Sequence, residues 1–327
     1  MWKKKIFDGT ELGLSKPFTF LQLGSIHLPR LTLDNKIIME NILRATLKPT
    51  GRVGGGGHST LVECVRHADS DQKLILLKKS KEEDVSFRTE AFIQWLAQKT
   101  LAGLGRRIPR VYDILELPED TVGFTMQEFA DARLCSRYLI SSASINLDIL
   151  HVLAQSAILL QVLEDSLALD HRDLKADNLL ILPESSSITF TCSRKRYKLV
   201  SPFTVAIVDF GFACLGDDSF ITEIDAGDGT LPSLDPCPKD GRDLFHLIVS
   251  LYGIEGIRNE LSSELRVAFA HWMELHGKPC SELAARWSHS EWIYLLTSRK
   301  EFKHPTCTPR AILEKIRELE PDIFVTL

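Results

Sequence analysis

The chain has 327 residues, 44% of them hydrophobic and 25% charged, so it can bury a substantial core as one large domain or two lobes. A net charge of −5 argues against nucleic acid as the main partner, because phosphate binding needs a basic surface. Seven cysteines, at 64, 135, 192, 214, 237, 280 and 307, include no C-x-x-C pair. That pattern predicts reduced thiols in an intracellular protein, cytoplasmic or nuclear, and not a disulfide framework or a zinc site. The basic opening Met1-Trp2-Lys3-Lys4-Lys5 has no apolar run behind it and does not read as a signal peptide.

Residues 1–45 carry no motif and read as an N-terminal extension, with a strand expected at Phe18–Leu23 and a short helix at Lys36–Thr46. From 46 to 130 the pattern is strand-rich. Gly54-Gly55-Gly56-Gly57 separates two expected strands and leads into Thr60–Val65. Lys73–Lys78 is the next strand, and Phe87–Leu101 has helical spacing with Phe87, Ala91, Trp95 and Leu101 near one face. Arg110–Leu115 and Val122–Met126 are two further strands. After Asp131 helices take over, at Ser136–Leu139 and Leu147–Leu169. The second is apolar but broken by His151, Gln155, Gln161, Glu164 and Asp165, the pattern of a buried helix and not of a membrane span. Residues 183–204 read as a loop or hairpin insertion with a basic tip at Arg194-Lys195-Arg196, followed by a strand at Val205–Val208. Residues 243–327 are mostly helical in pattern. The class is therefore α+β, a β-rich half followed by a helical one, with a cleft expected between two lobes.

Chemistry concentrates in two stretches. His171-Arg172-Asp173-Leu174-Lys175-Ala176-Asp177-Asn178 matches H-R-D-L-x-x-x-N, and Asp209-Phe210-Gly211 follows it. On these motifs the sequence resembles the eukaryotic protein kinases of serine/threonine type, in a divergent form with a short C-terminal lobe. The resemblance implies a bilobal protein-kinase-like fold, with residues 46–130 as the N-terminal lobe, 131–327 as the C-terminal lobe and an ATP cleft between them. It implies ATP and Mg²⁺ as cofactors, a protein as the phosphoacceptor, and no membrane partner. A pseudokinase that only binds ATP, and a small-molecule phosphotransferase of kindred fold, are the competing readings.

The resemblance also assigns roles. Asp173 would steer the acceptor hydroxyl, Lys175 would sit on the γ-phosphate, and Asn178 and Asp209 would hold Mg²⁺. Lys78 would bind the α/β-phosphates and pair with Glu90. Lys79 is its rival, since neighbouring strand side chains point to opposite faces, and Glu82 and Glu83 are Glu90's. Gly55, Gly56 and Gly57 would approach the phosphates, with Thr60 where the family has a third glycine. Gln127 would stand beside the adenine, the backbone of Glu128 and Ala130 would bond it, and Val62, Leu76 and Leu180 would sandwich it. Gly229-Thr230 through Cys237 resembles the G-T-x-x-Y-x-A-P-E segment, but Asp235 and Cys237 replace its alanine and glutamate. His304 stands where the glutamate's arginine partner belongs. Asp243 resembles the aspartate that braces the catalytic loop. Ser219 and Thr222 could accept an activating phosphate, or Asp217, Asp218, Asp225 and Asp228 could replace one.

Overall fold

Among the described residues, a six-stranded sheet and one helix belong to the first of two compact units, which comprises residues 1–99 and 108–130. The computed structural model describes residues 30–32, 47–55, 59–66, 74–80, 86–116, 122–216 and 237–327. The strand and helix expected before residue 46, the glycines Gly56 and Gly57, Glu82, Glu83, and the segment 217–236 with Ser219, Thr222, Thr230 and Asp235 lie outside them.

The sheet contains β1 (Arg30–Thr32), β2 (Leu47–Gly55), β3 (Ser59–Arg66), β4 (Leu74–Ser80), β5 (Val111–Glu116) and β6 (Val122–Gln127), in the spatial order β1-β5-β6-β4-β3-β2. Only the β1–β5 pair is parallel. Over its first four residues strand β4 alternates: Leu74 is exposed and Leu76 half-buried, while Ile75 and Leu77 bury against Cys64. Helix α1 (Ser86–Thr100) follows β4 and is buried continuously from Glu90 to Ala97, with Gln94 donating to the Pro109 carbonyl at 2.9 Å. Gly123 in β6 allows the close approach of β4. A Cβ there would stand 3.0 Å from the Lys78 carbonyl oxygen, inside ordinary contact distance.

The second unit comprises residues 100–107 and 131–327. Its strands are β7 (Arg133–Leu134), β8 (Leu169–Asp170), β9 (Leu179–Leu182), β10 (Ser186–Cys192), β11 (Lys195–Ser201), β12 (Thr204–Ile207), β13 (Cys214–Leu215), β14 (Glu274–Leu275), β15 (Lys278–Pro279) and β16 (Phe324–Thr326). Its helices are α2 (Cys135–Ile140), α3 (Ile145–Leu167), α4 (Arg242–Gly253), α5 (Glu255–Glu260), α6 (Ser263–Trp272), α7 (Ser281–Trp287), α8 (Glu291–Thr297) and α9 (Pro309–Leu319). The described residues thus form an α+β protein. The stretch 183–204 is a hairpin, β10–β11, whose turn at Ser193 and Arg194 takes positive φ, and β16 adds a third strand.

Helix α3 is the spine of this unit. It is the one helix among the described residues long and apolar enough to cross a membrane, yet 78% of its apolar window is buried inside the protein. Leu153, Leu159, Leu160 and Leu163 are fully covered, each worth about 1.5–3 kcal/mol relative to exposure. One polar break, Gln155, has internal partners. Gln155 accepts from Arg107 Nη1 at 2.7 Å and donates to the Phe203 carbonyl at 3.1 Å. Arg107 also reaches the Val205 carbonyl and the Ser186 hydroxyl, and burial pushes its pKa down to about 10. Ala168, in the left-handed region, ends α3 and returns its N–H to Glu164, turning the chain into β8.

Two buried histidines make stability depend on pH. Burial pushes His304 down to about 4, helped by His271 and His276, and pushes His289 down to about 4 against the pull of Asp173. A native pKa below the unfolded value near 6.5 means that the unfolded chain binds more protons in acid. The contribution of these two histidines is therefore full above about pH 6.5 and is lost as pH falls toward about 4. Each group can cost on the order of 1–3 kcal/mol there. The histidines should lower the thermal midpoint from pH 7.5 to pH 5, against Glu164 and Asp243, whose raised carboxyls favour the folded state as pH falls. His304→Phe, which keeps the ring contact with Phe245 at 4.7 Å, should flatten the fall.

Candidate active site

The loop His171–Asn178 is held by backbone hydrogen bonds before any side chain acts. Strand β8 pairs with β13, setting Asp170 opposite Cys214, and the loop leaves from that pair. Asp243, in the first turn of α4, accepts from His171 N at 2.6 Å and Arg172 N at 2.8 Å. This is the bracing contact that the sequence suggests. Burial pushes its carboxyl up, with Asp170 adding to the rise and the two N–H groups and Arg242 opposing it. Ala176 N donates to Ser250 Oγ at 3.0 Å, and His171 Nε2 lies 3.1 Å from the Val208 carbonyl. Val208 N donates to the Asn178 carbonyl at 3.0 Å, which ties Asp209 to the loop through its neighbour.

Arg172 (φ 65°) and Asp209 (φ 66°) both occupy the left-handed region. For a residue with a Cβ this costs about 1–2 kcal/mol and persists where surrounding structure enforces it, often at functional sites. One of these residues precedes Asp173 and the other opens Asp209-Phe210-Gly211. Phe210 is fully buried with its ring 5.0 Å from His171, while Asp209 is exposed.

The loop brings two of the expected residues onto the carboxylate of a third. Asp173 is only 3% exposed, and its Oδ2 accepts from Lys175 Nζ at 2.8 Å and Asn178 Nδ2 at 3.0 Å. Asn178 Nδ2 also donates to the Asp173 carbonyl at 2.8 Å, which leaves the amide oxygen as the acceptor. Two further residues meet the other carboxylate oxygen. Tyr294 of α8 donates its hydroxyl to Asp173 Oδ1, and His289 Nδ1 lies 3.9 Å from the same atom. Nothing in the sequence announces them, because they lie more than 110 residues away in a stretch without a motif.

In the first unit, Lys78 Nζ lies 2.6 Å from Glu90 Oε1, with both side chains buried, while Lys79 is exposed. The pair joins β4 to α1. Gly55 is the last residue of β2 and pairs with Thr60. Val62 and Leu76 are half-buried, Val62 against the Cys64–Leu77 cluster. Gln127 ends β6 with its N–H on the Arg110 carbonyl at 2.8 Å, Glu128 is half-buried, and Ala130 is exposed. In the second unit, Leu180 of β9 is half-buried and pairs with Ala206 and Leu134.

The cysteine expectation needs correction. Cys214 and Cys237 form a disulfide with a Cα–Cα separation of 6.4 Å, while Cys64, Cys135, Cys192, Cys280 and Cys307 are free and buried. Spacing along the chain cannot show such a pair. It arises because β8–β13 pairing sets Cys214 beside Asp170, and Asp170 in turn accepts from Lys239 N at 2.7 Å, fixing the chain next to Cys237. Cys237 therefore carries a covalent link where the family pattern has a glutamate. His304 packs its ring against Phe245 and donates its N–H to the Asp240 carbonyl.

No family model matches the chain. A stretch of 86 residues, 26% of this chain, is 28% identical to part of a protein of Invertebrate iridescent virus 3 named a probable kinase. The matched stretch spans 16% of the relative's length, so it points toward phosphotransfer and carries no information on substrate.

Proposed function

We propose that this protein is a kinase of protein-kinase-like bilobal fold, transferring the γ-phosphoryl group of Mg-ATP to serine or threonine hydroxyls of other proteins. Residues 46–130 serve as its N-terminal lobe and 131–327 as its C-terminal lobe, acting inside the cell on protein substrates. The observation that carries this reading is the Asp173 carboxylate, with Lys175 and Asn178 on one oxygen and Asp243 bracing the loop beneath.

In this reading Asp173 orients the acceptor hydroxyl and takes its proton, and Lys175 offsets charge that builds on the transferring group. Lys78, held by Glu90, binds the α/β-phosphates. Gly55, Gly56 and Gly57 approach the phosphates with their backbone, and Val62, Leu180 and the backbone of Glu128 and Ala130 hold the adenine. The donor set suits Mg²⁺: the Asp209 carboxylate and the free Asn178 amide oxygen are hard oxygen ligands. When bound, the ion neutralises phosphate charge.

The test is transfer of labelled phosphate from Mg-ATP to casein and myelin basic protein, followed by phosphoamino-acid analysis. The comparison is Lys78→Met made together with Glu90→Gln, so that no buried charge is stranded. Phosphoserine or phosphothreonine from wild type, and a loss of roughly 10²-fold or more in the double variant, are expected. Folded wild type that binds ATP and labels neither protein would overturn the reading.

A further inference from the structure

Asp173 presents two carboxylate oxygens, and only Oδ1 is not engaged by Lys175 and Asn178. That is the atom on which an incoming acceptor hydroxyl would have to bond. Tyr294 already places a hydroxyl there. Its ring is held on several sides. Phe212, three residues after Asp209, stacks on it at 6.2 Å and 28°. His246 of α4 meets it edge-on at 5.4 Å, and His289 does so at 5.3 Å and 89°. The two histidines are joined, with His289 Nε2 3.1 Å from His246 Nδ1, and His246 Nε2 lies 2.9 Å from Thr297 Oγ1 at the end of α8. The phenol is thus aimed at the carboxylate by the segment that follows Asp209, by the helix that carries Asp243, and by its own helix.

We infer that Tyr294 is this chain's own phosphoacceptor, a modification site built into the catalytic loop's surroundings. The inference rests on the kinase reading above and extends it to a phenolic acceptor in cis. A hydroxyl already bonded to the steering carboxylate has met the positioning requirement that transfer imposes on an acceptor. In the step, Tyr294 Oη forms a bond to the γ-phosphorus of ATP. The bond from that phosphorus to the bridging oxygen breaks, ADP leaves with the electron pair, and the hydroxyl proton passes to Asp173 Oδ1. The product carries roughly −1.5 to −2 charge beside the Asp173 carboxylate, and like charges there drive α8 away. Oδ1 then becomes open to hydroxyls of other proteins, so self-phosphorylation precedes transfer in trans.

The experiment uses the full chain, treated first with phosphatase and then incubated with Mg-ATP, with casein as the external acceptor. Tryptic peptide 287–299 contains Tyr294 as its single tyrosine, so fragment masses locate the phosphate. The expected result is one phosphate on Tyr294, added at a rate independent of protein concentration, with faster amide exchange in α8 afterwards. Casein labelling should show a lag that preincubation with ATP removes. Tyr294→Phe should abolish the phosphate on this peptide and the lag, and Asp173→Asn should abolish the phosphate. Casein labelled while Tyr294 stays unmodified overturns the inference and leaves the kinase reading standing. A rate that scales with protein concentration also overturns it, since the acceptor is then another copy. Folded protein that labels neither itself nor casein overturns both.

Discussion

Asp173→Asn is expected to lower phosphoryl transfer by roughly 10²- to 10⁴-fold, the range for loss of a positioned proton acceptor, while the protein stays folded and still binds ATP. The geometry explains why the damage should be confined to chemistry. Oδ2 accepts from Lys175 Nζ and Asn178 Nδ2, so the amide oxygen of an asparagine must stay on that side. Its NH₂ group then takes the place of Oδ1, where the Tyr294 hydroxyl can turn from donor to acceptor. An external acceptor hydroxyl would meet a donor there and could not lose its proton to it. Transfer to casein and ATP affinity, measured on one preparation, check this. An unchanged rate would remove Asp173 from the mechanism. A parallel loss of ATP binding and folding would make its role structural.

What the sequence made legible follows from how far apart the partners lie. His171 through Asn178 is a contiguous stretch whose residue types match a motif directly. Lys78 was separable from Lys79 in principle only by strand alternation, and the structure distinguishes them by burial and by the Glu90 contact. The apolar run at 147–169 showed itself by composition, and the structure makes it the core helix α3 at Ile145–Leu167. Tyr294, His289 and the Cys214–Cys237 bond had no comparable signal. Tyr294 reaches Asp173 across 121 residues because α8 is carried over the His171–Asn178 loop beside α4, and no local period encodes that. The cysteines are joined through Asp170, a residue that belongs to neither motif.

Arg242→Met should destabilise the protein by about 3–5 kcal/mol, the cost of stranding one charge of a buried pair. Arg242 and Asp170 are each 1% exposed at the side chain. Asp170 Oδ2 accepts from Arg242 Nη2 at 2.5 Å, from Arg242 Nε at 3.0 Å and from Lys239 N at 2.7 Å. Removing the guanidinium leaves a buried carboxylate with one backbone donor and with Asp243 as a like-charged neighbour. Asp243 braces His171 and Arg172, so the repulsion reaches the His171–Asn178 loop as well as the core. The cost belongs to the stranded charge and not to the lost volume. Adding Asp170→Asn to Arg242→Met should therefore restore more than half of the loss, because the amide oxygen can still accept from Lys239 N while the charge is gone. Urea unfolding of the three proteins, with the disulfide intact, measures this. If Arg242→Met alone unfolds within about 1 kcal/mol of wild type, the pair does not anchor the loop as the geometry indicates.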